Sequence, residues 1–214
     1  MIAPDQQQVA QRVGGRESFP RHVVSLWLLA VVGSVPLSVA MGAIAEIIVA
    51  LVAVPVALVL TRDWYVTPLA LSYGPFAAAA SLLWLISATL LWSIVAPALA
   101  WLWWPWRWAA ALLAGIVVTA AGVGLAQVVA NLLPLIRSHP MAMLDVSGVR
   151  LFFACLAGGI AGVGSLVRAQ PLMVPTQNGK ATAQRFIAPV AIFALILALC
   201  LEGGIAIFAA LNWL

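Results

Sequence analysis

Glu202 is the residue whose type and place first invite chemistry. It lies roughly 24 Å along a helix that starts at Phe186 and about 18 Å from the last residue. An acid at that depth in a membrane costs on the order of 2.5 to 3.5 kcal/mol, so it must face protein or a cavity, take up a proton or find a partner. No lysine or arginine follows it in its own helix. The segment 109–136 offers partners, because Thr119, Gln127 and Asn131 recur at multiples of four with Gly115 on the same ladder. Glu202, Gln127 and Asn131 therefore form a candidate intramembrane polar site. It would suit a proton or a cation, and it would equally glue neighbouring helices or a partner subunit; the second reading is preferred.

Around Glu202 the residues are small. Ala194, Ala198, Ala206 and Ala210 share its four-residue spacing, with Gly203 and Gly204 beside it. The segment 151–168 carries Ala154, Gly158 and Gly162 on one ladder and Ala157, Ala161 and Ser165 on the next. Small residues let helix backbones approach where lipid offers no hydrophobic drive. Gly158 and Gly162 are thus expected to pack on Ala198 and Ala206.

Other chemistry is thin. His22 and His139 are the only histidines and both sit at segment edges, which does not suit a haem held between facing helices. His139 and Asp145, six apart in a loop, make no metal or triad pattern. Cys155 and Cys200 fall inside apolar segments and read as small hydrophobes. No GxSxG, HExxH or phosphate-binding loop occurs. No catalytic residue, metal or cofactor is indicated, and an enzyme is the least favoured class.

The elements that must position these groups follow from composition. Sixty-five per cent of the 214 residues are apolar and 7% are charged, outside the range of soluble domains. A net charge of +4, with no basic run, excludes a nucleic-acid footprint. The expected fold is all-α, a polytopic integral membrane helical bundle. Apolar runs at 23–43, 44–61, 75–103, 109–136, 151–168 and 186–213 give six spans, each near the roughly 20 residues a crossing needs. Period-2 alternation, the mark of a membrane β-barrel, is missing, and no internal repeat stands out. Residues 1–21 read as a polar cytoplasmic tail, and 22–214 as a single transmembrane bundle. A cleavable signal ending at "SVA", 38–40, is the disfavoured rival, since the apolar run continues past it.

The octet "WLWWPWRW" reads as an interfacial hairpin. Trp101, Trp103, Trp104, Trp106 and Trp108 would form a belt at headgroup level, with Arg107 turned to water or phosphate. An aromatic cage for a cation is the alternative. Orientation is open. Length favours a tight hairpin within 22–61 and six crossings, whereas the distribution of Lys and Arg favours one crossing there and five in all. Glu46, in "MGAIAEII", is a wet turn residue in the first case and a buried functional acid in the second.

Two function classes remain. One is a non-catalytic subunit of a larger assembly in a bacterial inner membrane, packing with lipids and with other membrane subunits or copies of itself. The other is a small proton- or cation-coupled transporter or channel component that uses Glu202.

Overall fold

A computed structural model describes residues 4–61, 74–100, 104–132, 148–166 and 179–212, with side-chain surroundings chiefly within 24–52, 82–99, 106–132, 150–166 and 186–204. These residues form five helices: α1 (Pro4–Thr61), α2 (Gly74–Ala100), α3 (Trp104–Leu132), α4 (Gly148–Leu166) and α5 (Gly179–Asn212). Helices α1, α2, α3 and α5 each hold a stretch long and apolar enough to cross a membrane. Helix α4 holds a shorter one, 150–166, close to the lower limit of about 17 residues for a span. Apolar side chains also form the outer wall, as at Val32 (74% exposed), Val117 (62%) and Phe152 (64%). Water would penalise such a surface and lipid does not. The chain is a multi-pass helical membrane bundle.

The first apolar run differs from the expected hairpin. No turn separates 23–43 from 44–61; α1 passes through both without a break. The local sequence explains this, because "VAMGAIAEII" contains one glycine and no turn-forming pair, and its other residues are compatible with a helix. Pro36 and Pro55 lie within the helix range and do not end it, as is tolerated in membrane helices. Helix α1 also begins inside the polar tail, at Pro4.

Each helix packs on the next in sequence, and α5 returns to pack on α1 and α2. At the centre, Trp92 of α2 lies flat against Phe193 of α5, with ring centroids 4.5 Å apart and planes 9° from parallel. Ala88, Ala96, Val190, Ala194, Leu197 and Ala198 belong to the same buried cluster. On its other side α2 meets α3 where Gly122 sits against Ala88; a β-carbon at Gly122 would come within 2.7 Å of the Ala88 nitrogen.

The closest contact joins α3 to α4. Gly115 and Gly158 face one another, and Gly162 faces Ala111 and Gly115, so the two backbones touch. The glycine ladder of α4 therefore packs on α3, not on the Ala198 side of α5. Four-residue spacing explains the change of partner: the ladders through Gly158 and through Ala157 lie on adjacent strips of one helix. Ala157 and Ala161 join the buried cluster that holds Ala194 and Ala198, while Gly164 meets Ile196. Ala206 is helical, but its side chain lies outside the described residues.

Candidate functional site

Five hydroxyls are buried in the bundle and bonded within their own helices. Ser34 donates to the carbonyl of Val31, Ser38 to Val35, Ser93 to Leu90, Thr119 to Gly115 and Ser165 to Gly162, at 2.7–2.8 Å. Such back-bonding satisfies a hydroxyl locally, so these groups do not need a neighbouring helix or a solute. Among the described residues of α2, the buried atoms Trp84 Nε1, Thr89 Oγ1 and Trp92 Nε1 have no hydrogen-bond partner.

Trp84 marks the level where longer polar side chains gather. It is the centre of a second buried cluster with Val123, Ala126 and Ala130 of α3 and Ala154 of α4; Leu151 and Leu201 pack against it. The immediate sequence neighbours of Ala126, Leu151 and Leu201 are Gln127, Arg150 and Glu202. Helix register agrees. Counting from the contacts Gly122 to Ala88, Gly158 to Thr119 and Trp92 to Phe193, at about 1.5 Å per residue, brings Trp84, Gln127, Arg150 and Glu202 to within roughly 3 Å of one height. Gln127 and Glu202 are half-buried and Arg150 is exposed. None of the three is left without an interaction.

The candidate polar set thus divides. Glu202 and Gln127 share a level at one end of the bundle, while Asn131 is a turn further out and exposed. Sequence reasoning missed Arg150, a cation brought to the height of Glu202 by a different helix. It also missed Trp84. The only signal for either was the antiparallel register of α3 and α4, which the sequence does not state.

Glu46 belongs to neither expected setting. It lies on an unbroken helix, neither in a turn nor in a re-entrant fold, and it is exposed. Ser34, Ser38, Gly42 and Glu46 are spaced by fours, and each such step turns a helix by about 40°. The ladder therefore starts on the buried face and has left it by Glu46.

Within the tryptophan octet α3 starts at Trp104, so residues 104–108 belong to its N-terminal end, while 101–103, where the expected hairpin would turn, lie outside the described residues. Pro105 occupies the first turn of α3, where a missing N–H costs nothing. Trp106 is 71% exposed, but Arg107 is only 5% exposed and does not face water. Position explains it: Arg107, Ala111 and Gly115 form the inward strip of α3, with Ala111 fully buried. Trp108 is half-buried. Trp101 and Trp103, the side chains of Trp104 and His22, and both His139 and Asp145 lie outside the described residues.

No protein family, curated protein or solved structure matches this chain.

Proposed function

We propose that the chain is a non-catalytic multi-pass subunit of a larger membrane assembly, packing with partner proteins and lipids. One observation carries this reading: α3 and α4 meet at backbone distance through Gly115, Gly158 and Gly162, and the buried hydroxyls nearby are bonded to their own helices. Such an interface holds helices together, and the Thr119 and Ser165 hydroxyls within it are bonded to their own helices and not turned to a solute. The outer face of α1 supports it, since only 11% of its best apolar window is buried, against 50% for α2.

The membrane is a bacterial inner membrane in this reading, with the N-terminus in the cytoplasm. One crossing for each helix gives five. Arg12, Arg16, Arg21, Arg107, Arg168, Lys180 and Arg185 then lie inside, and Arg62, Arg137 and Arg150 outside, as the positive-inside rule favours. Trp106 stands roughly 19 Å from the middle of α3 along its axis, at headgroup height. Tryptophans there serve as a belt.

The second reading, a proton- or cation-coupled transporter or channel component, is favoured by the shared height of Glu202, Gln127 and Arg150. The two readings separate on one variant. Glu202→Gln keeps size and hydrogen bonding; assembly and activity persist if the chain is a scaffold. Loss of a pH-coupled flux with the assembly intact decides for transport. Purification adds a check: a subunit leaves the membrane with partners, whereas a self-sufficient transporter is monodisperse alone.

A further inference from the structure

Trp92 is fully buried in the bundle, and its Nε1 has no hydrogen-bond partner. The stack on Phe193 holds the ring, so the N–H cannot be redirected. An indole N–H without an acceptor is costly inside a membrane. Helix α1 brings acceptors to its level. A β-carbon added at Gly42 would lie 3.3 Å from Leu85 Cδ2 and 3.6 Å from Leu82 Cδ1. One and two turns back along α1 stand Ser38 and Ser34, and two turns on from Leu85, along the oppositely directed α2, stands Trp92. Its ring leans toward the start of α2, as long helix side chains do, and so toward the height of Ser38. Helix α5 gives the same level. Ala30 shares a buried cluster with Phe186, so Ser34 and Ser38, one and two turns on, stand level with Val190 and Ala194, on either side of Phe193. Both serines are fully buried.

We propose that the junction of α1, α2 and α5 is a binding site for one ordered water, which accepts from Trp92 Nε1 and donates to Ser34 Oγ and Ser38 Oγ. The hydrogens of the two serines are committed to the Val31 and Val35 carbonyls, which leaves each oxygen able to accept. The serines do not need the water; Trp92 does. Residues one turn apart on a helix have β-carbons about 6 Å apart, a gap that a water with bonds of about 2.8 Å on either side closes. Three hydrogen bonds are the usual complement of a buried water. The site ties α1, whose best apolar window is only 11% buried, to the core between α2 and α5. The inference rests on the helical membrane bundle and goes beyond the subunit reading, which is decided independently of it.

Magnetic resonance of the indole N–H tests it. The full chain, isotope-labelled at the tryptophan indole nitrogens, is reconstituted into phosphatidylethanolamine and phosphatidylglycerol vesicles, and the Trp92 signal is identified by its loss in Trp92→Phe. Magnetisation transfer from water to that N–H is expected, and it should fall several-fold when Ser34→Ala and Ser38→Ala are combined. Ser93→Ala, which removes a fully buried hydroxyl bonded within α2 to Leu90, should leave it unchanged. Thermal unfolding gives a second readout. Trp92→Phe keeps a ring for the stack, and it removes the same water as the serine pair, so the loss of midpoint in the combined variant should be smaller than the sum of the separate losses. No transfer in the parent chain, transfer that survives the loss of both serines, or additive losses overturn the proposal.

Discussion

A methyl group added at Gly158 would enter space that is already filled. It would come within 2.6 Å of Thr119 Cβ and 2.7 Å of the Gly115 carbonyl oxygen, itself the acceptor of the Thr119 hydroxyl. Neither atom is the free end of a flexible side chain. Gly158→Ala is therefore expected to lower stability by about 1–3 kcal/mol, the usual range for overpacking a close contact, seen as a reduced thermal midpoint in detergent. Gly33→Ala is the matched control, since nothing lies within 4 Å of its added β-carbon; it should be neutral or slightly stabilising through helix propensity. The hydroxyls make a second pair. Thr89 Oγ1 is buried without a hydrogen-bond partner, and removing an unsatisfied group recovers part of its desolvation cost of about 1–3 kcal/mol. Thr89→Val should raise the thermal midpoint, whereas Thr119→Val, which loses a made hydrogen bond, should not.

At the scale of the element, the interface between α2 and α5 depends most on Phe193, fully buried and stacked on Trp92. Phe193→Ala is expected to cost on the order of 3–5 kcal/mol, with Phe193→Leu losing much less because it keeps most of the volume. Urea or thermal unfolding of the reconstituted bundle checks both. The same scale shows what a reader of the sequence can and cannot see. Apolar runs located every helix, because length and composition decide whether a segment can cross a bilayer. Helix faces were harder. A spacing of four is close to the helical period but not equal to it, and each step drifts by about 40°. Along α3 that drift carries Gly115 and Thr119, both buried, to half-buried Gln127 and exposed Asn131. Over two steps, as from Ala154 to Gly162, the ladder is a reliable strip; over four it wraps half the helix. Partner choice was illegible for a different reason, because α4 has small residues on two adjacent strips and composition alone cannot say which meets α3.

At the scale of the whole molecule, the described residues form five helices, an odd number. If each crosses once, residues 1–21 and the 169–185 connection share one side of the membrane, and the end of α5 lies on the other. A cysteine introduced at Lys180, in a chain cleared of Cys155 and Cys200, should resist a membrane-impermeant maleimide in intact cells and react once the membrane is opened. Labelling from outside would overturn either the proposed orientation or the odd number of crossings.

The order in which the chain is made gives the stacking of Trp92 on Phe193 a kinetic meaning. Helix α1 needs little from its neighbours to be at ease in lipid, so it can enter the bilayer as soon as it is synthesised. Helix α2 cannot settle in the same way: its best apolar window is half buried in the finished bundle, and the face that carries Trp92 waits for α5. Trp92 precedes Phe193 by 101 positions in the chain, several seconds of synthesis at roughly 5–20 residues per second. During that interval an aromatic face with an unpaired indole N–H stands open to whatever the membrane holds. The nascent protein is thus most vulnerable to wrong association, and most in need of an insertase or chaperone, after α2 has entered the membrane and before α5 arrives.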